Sequence, residues 1–178
     1  MGTLLYKRLQ TCVLSIEEVA LTKDIIKEIQ LSKLYRLVQE ISSEYLIVID
    51  NSASLSALLN HLAEKYAPRN VYYTFSYKAK DVITYAHKNS TSEYISKHYF
   101  TKFVGSYVKF VESKGRTLEK GRDFPPTLLT SSFESVFSQI FLDGEFNWDH
   151  LSTGDIIALW LKSARLDDGA EKLLTEED

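Results

Sequence analysis

Asp50-Asn51-Ser52-Ala53-Ser54 sets a carboxylate and two hydroxyls at alternate positions, the first place in the chain where side chains could do chemistry together. Hard oxygen donors of this kind suit Mg²⁺ or Mn²⁺, ions that keep several waters and borrow further oxygens from elsewhere in a fold. The same residues have a plainer use. Ser52 or Ser54 can cap a helix while Asp50 or Asn51 forms an Asx turn, each contributing about 1 kcal/mol. Capping is the commoner fate of such a stretch, and a metal site at Asp50, Ser52 and Ser54 is the sharper expectation.

A second constellation is basic. With residues 92–114 placed on a helix, Phe100, Phe103, Val104, Tyr107, Val108 and Val111 form an apolar stripe, and His98, Lys102, Ser106 and Lys109 line the opposite side. Tyr99 and Phe110 stand at the rim, and Lys97, Lys114, Arg116, Lys120 and Arg122 extend the positive surface into the next loop. Lysines beside aromatic rings suit phosphate neutralisation with base stacking, and suit an acidic protein face equally well. The net charge of −3 conceals the asymmetry behind this patch: residues 78–122 carry ten Lys/Arg against four Asp/Glu, and residues 123–178 carry three against twelve. Such fields act on partners over roughly 8 Å at physiological salt, unless the acidic third folds back and neutralises the basic middle.

Other chemistry is thinly represented. His61, His87, His98 and His150 are scattered without zinc-pair spacing, and Cys12 is the single cysteine, so neither an internal disulfide nor a CxxC pair can form. No Gly-x-Ser-x-Gly elbow occurs, and Asp167-Asp168 and Glu176-Glu177-Asp178 have loop or tail surroundings. The balance leans against an enzyme.

The elements that would position these residues read as a mixed α/β fold. "IEEVALTKDIIKEIQ" and "LSKLYRLVQEISS" read as two helical pieces with Ser32 as a cap between them, after a short strand within residues 3–14. Residues 45–50 form a continuous apolar run ending in a polar break, the pattern of a strand buried on both faces. A helical stripe from Leu55 to Tyr66 follows, punctuated by Pro68 and Asn70, and "VYYTFSY" at 71–77 reads as a second strand. This is a βαβ unit with parallel strands over 45–77, and it places Asp50 at the carboxyl end of a strand, where ligands of open sheets bind. "KDVITYAHK" fits a third strand or a short helix. The C-terminal half is predominantly helical: Ser90-x-x-Glu93 and Ser131-x-x-Glu134 resemble capping boxes, and a last helix starts near Ser152 or Thr153. The chain reads as a single domain over 1–178, divisible into an α/β part (1–89) and a helical part (90–178), with a loop at 114–127.

"IVIDNSAS" resembles the metal-ion-dependent adhesion motif of von Willebrand A domains, and "RNVYYTFSY" resembles their second strand. That resemblance implies Asp50, Ser52 and Ser54 as ligands, with Thr127 and Asp143 as candidates from later loops. The same segment resembles the opening of PIN nucleases, with "LSTGDIIALWL" and its Asp155 similar to their downstream acidic helix; this implies metal-dependent phosphodiester hydrolysis. "LIVID" also resembles the Walker B strand of a RecA-like fold, although no Gly-x-x-x-x-Gly-Lys-Ser/Thr is present to hold phosphates.

No apolar run is long enough to span a membrane and no export signal opens the chain, so the expectation is an intracellular protein, cytoplasmic or nuclear, without membrane insertion. The leading functional expectation is a non-enzymatic interaction or assembly subunit that uses its charge-segregated helical half against a protein partner, without a cofactor. The alternatives are a Mg²⁺ or Mn²⁺ site at Asp50, adhesive or nucleolytic, and nucleic-acid contact through 92–122.

Overall fold

The computed structural model describes residues 13–88, 93–125, 128, 130–142, 144 and 147–166. Its elements are β1 (Val13–Leu14), α1 (Ile16–Tyr45), α2 (Ala53–Lys65), α3 (Pro68–Lys88), α4 (Glu93–Ser113), α5 (Ser132–Phe141), a 3₁₀ turn (Trp148–His150), α6 (Thr153–Ser163) and β2 (Arg165–Leu166). The fold is helical, which corrects the α/β expectation. Among the described residues the one strand pairing is β1 with β2, two residues long and parallel.

Both expected strands of the βαβ unit fail for identifiable reasons. Residues 71–77 lie inside α3, where Val71, Tyr72, Phe75, Ala79 and Val82 are buried at helical spacing. The Thr74 and Ser76 hydroxyls return to the Asn70 and Tyr72 carbonyls, so polar groups on the buried side are satisfied within the helix. Pro68 opens α3 instead of closing α2; a proline in the first turn gives up no intrahelical hydrogen bond. Residues 45–50 divide differently. Tyr45 ends α1, Leu46 caps it in the left-handed region at φ 52°, and residues 47–52 run on outside helix and strand. Ile47 is buried and Ile49 partly so, while Leu46 and Val48 are exposed, an alternation that suits a strand but has no ladder partner. The "KDVITYAHK" segment completes α3.

α1 is also one helix of 30 residues, not two pieces. The Ser15–Glu18 capping box starts it, and the buried stripe Val19, Ile26, Leu34, Leu37, Val38, Ile41 continues past Ser32 without a phase break. At roughly 45 Å it is the spine of the molecule. Its C-terminal half packs with α2, α3 and α4 in one hydrophobic cluster that includes Leu59, Phe75 and Phe100. Its N-terminal half packs with Phe137, Trp148, Ile156 and Trp160 of the C-terminal elements in a second. Ser131 and Ser152 cap α5 and α6 as the sequence suggests, whereas Ser90 lies outside the described residues.

Polar links fasten the two clusters. Lys33 Nζ lies 2.7 Å from both Glu134 and Asp149, and Gln30 donates to the Trp148 and Leu151 carbonyls at 3.1 and 3.3 Å. Thr153 donates to the Ala63 carbonyl at 2.7 Å. Gly115, at φ 63°, ends α4 in a left-handed turn, with Arg116 N–H bonding the Val111 carbonyl at 3.1 Å. The chain then doubles back over α3, held by Asn70 on the Leu118 carbonyl and by Arg122 N–H on the Arg69 carbonyl.

Candidate functional site

Packing α4 beside α2 leaves a groove of about 750 Å³ between them. The two constellations that the sequence places fifty residues apart meet in it. Asp50, Ser52 and Ser54 form one end, and Lys97, His98, Lys102 and Lys109 line the α4 wall. The contact is partly backbone: Asp50 N–H donates to the Lys97 carbonyl at 3.4 Å.

Helical geometry explains the wall. Lys97, Thr101, Gly105 and Lys109 follow one i, i+4 row and His98, Lys102 and Ser106 the next, so small side chains occupy the middle and basic ones flank them. Gly105 leaves open space where a Cβ would stand. Ala57 and Leu58 face them from α2. Thr101 Oγ1 is buried without a hydrogen-bond partner. A helical threonine commonly returns its hydroxyl to the carbonyl four residues back; here that carbonyl, of Lys97, receives Asp50 N–H instead. Thr101, Gly105 and the α2 wall are what the sequence reading missed. A glycine in mid-helix beside lysines was the available signal, but its partner helix was not visible.

The far end is closed by Glu112. Its carboxylate accepts from His61 Nε2 at 2.8 Å, Lys65 Nζ at 2.9 Å and the Tyr66 hydroxyl at 2.9 Å. Burial works to raise its pKa, but these hydrogen bonds outweigh it and hold the carboxyl at about 2. Burial, then the bond to Glu112, pushes the Tyr66 hydroxyl up to about 12. Because the folded pKa of Glu112 lies below its unfolded value, the resulting stability is present above about pH 4.5 and is lost as pH falls towards 2. His61 and Lys65 are about half exposed, so screening limits the contribution to about 1 kcal/mol. Glu112→Gln is therefore expected to flatten the acid limb of a Tm-against-pH profile between pH 5 and 2; an unchanged limb would contradict the assignment.

The remaining predicted contacts separate. Arg116 and Lys120 line a different cleft on the α3 side of α4, and Lys114 Nζ lies 6.0 Å above the Phe110 ring. Arg122 turns inward, donating to Glu44 at 2.9 Å and to Ser76, with its guanidinium 4.5 Å from the Tyr72 ring centre. It fastens the returning loop to α1 and α3.

Ser52 Oγ is the α2 N-cap, accepting from Leu55 N–H at 3.3 Å, and its own N–H bonds the Asp50 carbonyl. Asp81 pairs with Lys78, and Asp155 closes the Ser152 capping box; Thr127 and Asp143 lie outside the described residues. No group of three His, Cys, Asp or Glu side chains able to hold a metal occurs among the described residues. With lysines lining the groove, the local field favours an anion over a cation. The βαβ unit over 45–77, on which the three family resemblances rest, is not formed, since 71–77 lie within α3 and 47–52 lie outside helix and strand. No family model, curated protein or solved structure matches the chain. No helix among the described residues is long and apolar enough to cross a membrane.

Proposed function

We propose that the protein is a non-enzymatic interaction subunit that holds an acidic segment of a partner protein in the groove between α2 and α4. The observation that carries this reading is the α4 wall, where Lys97, His98, Lys102 and Lys109 flank a strip of small residues beside open space at Gly105. An amphipathic helix fits such a strip, apolar side chains over Ala57, Leu58 and Gly105 and carboxylates against the lysines. Among the described residues the groove lining holds no Phe, Tyr or Trp, which favours carboxylate recognition over base stacking here.

Titration of a fluorescent amphipathic helix of Glu and Leu, followed by anisotropy, tests the reading. Binding should weaken with salt, fall by more than about tenfold in Lys97→Glu/Lys109→Glu, where two charge pairs become repulsive, and fall in Gly105→Leu, which fills the strip without changing charge. Affinity unchanged by the charge reversal would remove the proposal.

A further inference from the structure

The cleft on the α3 side of α4 has a different chemistry. It encloses about 530 Å³ and is lined by Tyr73, Tyr77, Tyr107, Phe110, Arg116 and Lys120, among others. Tyr77 and Phe110 are 45% and 56% exposed. We propose that this cleft binds single-stranded nucleic acid, with bases stacking on Tyr77 and Phe110 and phosphates lying against Lys114, Arg116 and Lys120. The cleft shares no lining residue with the acidic-partner groove and lies on another side of the helix, so the two proposals stand or fall separately.

Tyr77 is held in place before any ligand arrives. Tyr77 meets Tyr107 edge-on at 5.8 Å, and Lys78 Nζ sits 4.3 Å from one ring and 4.5 Å from the other, fixed by Asp81 at 2.8 Å. Lys120 lies 5.7 Å over Tyr73. Leu118, buried beneath the loop, anchors the segment carrying Arg116 and Lys120, and Asn70 holds its carbonyl. Glu119 is the single acidic lining residue, outnumbered by Arg116 and Lys120. The aromatic surface continues along the α3–α4 seam, where Tyr85 stacks on Tyr99 at 5.0 Å and Lys102 lies 5.3 Å over Tyr99. From Tyr99 to Phe110 this is roughly 16 Å of helix, the length of about four or five stacked bases.

Ring chemistry selects a nucleic acid over an acidic peptide here. Aromatic faces are electron-rich, so they attract cations and stack on bases but gain nothing from carboxylates. Exposed rings interleaved with cations thus reward a ligand that alternates planar bases with phosphates.

The test is anisotropy of a labelled deoxythymidine oligomer at about 50 mM salt, where a few phosphate contacts are still strong. Tyr77→Ala/Phe110→Ala should weaken binding by roughly tenfold or more, and Tyr77→Leu/Phe110→Leu, which keeps apolar area but removes the rings, should weaken it comparably. Arg116→Glu/Lys120→Glu should weaken binding and flatten its dependence on salt. Because these side chains lie at the surface, thermal melts should confirm that each variant folds. Absence of oligomer binding, binding indifferent to loss of the rings, or equal binding of poly-glutamate would each overturn the proposal.

Discussion

Replacing Lys33 with alanine should destabilise the fold by about 3–5 kcal/mol, a large share of the roughly 5–15 kcal/mol that holds a domain together. The Lys33 ammonium bridges Glu134 and Asp149 at 2.7 Å each, and the Lys33 and Glu134 side chains are 9% and 3% exposed. Without it two carboxylates, one of them buried, lose the ammonium that bridges them. Glu134 also closes the Ser131 capping box, so the loss extends into the start of α5. Chemical denaturation measures the effect. In Lys33→Met/Glu134→Gln, where no buried carboxylate is left at Glu134, part of the stability should return. A loss under 1 kcal/mol for Lys33→Ala would mean that the two clusters do not depend on this link.

Phe75→Ala should cost about 3–5 kcal/mol, as removal of a fully buried ring leaves a cavity among neighbours such as Phe100, 5.5 Å away. The pattern around it says more than the magnitude. In a strand, Tyr73, Phe75 and Tyr77 would share one face and Tyr72 would point the other way. In α3, Tyr72 and Phe75 are buried together and Tyr77 is exposed. Truncating Tyr72 or Phe75 should therefore be severe, while Tyr77→Ala should cost less than about 1 kcal/mol. Equal sensitivity at Tyr73, Phe75 and Tyr77 would restore the strand.

This contrast shows where the sequence was readable. Helices with one apolar face and a serine cap, such as α2 behind Ser52, α5 behind Ser131 and α6 behind Ser152, follow from local periodicity. Residues 71–77 do not, because a dense run of β-branched and aromatic residues looks alike in a buried strand and a buried helix. The deciding residues, Ala79 and Val82, lie just beyond the run. Residues 45–50 read as a continuous apolar strand, yet a strand also needs a neighbour, and none is encoded locally. At the site, the one-sided placement of His98, Lys102 and Lys109 on α4 is a local property and was visible. Their meeting with Asp50 and α2 depends on packing, as does the inward turn of Arg122, whose partner Glu44 is distant in sequence.

The most direct test of the groove is an amide ¹H–¹⁵N titration of the intact protein with the acidic helical peptide. Perturbed signals should fall within residues 50–61 and 97–112, the two walls, and should fade as salt is raised. No perturbation at saturating peptide, or shifts gathered on α5 and α6 instead, would contradict the account.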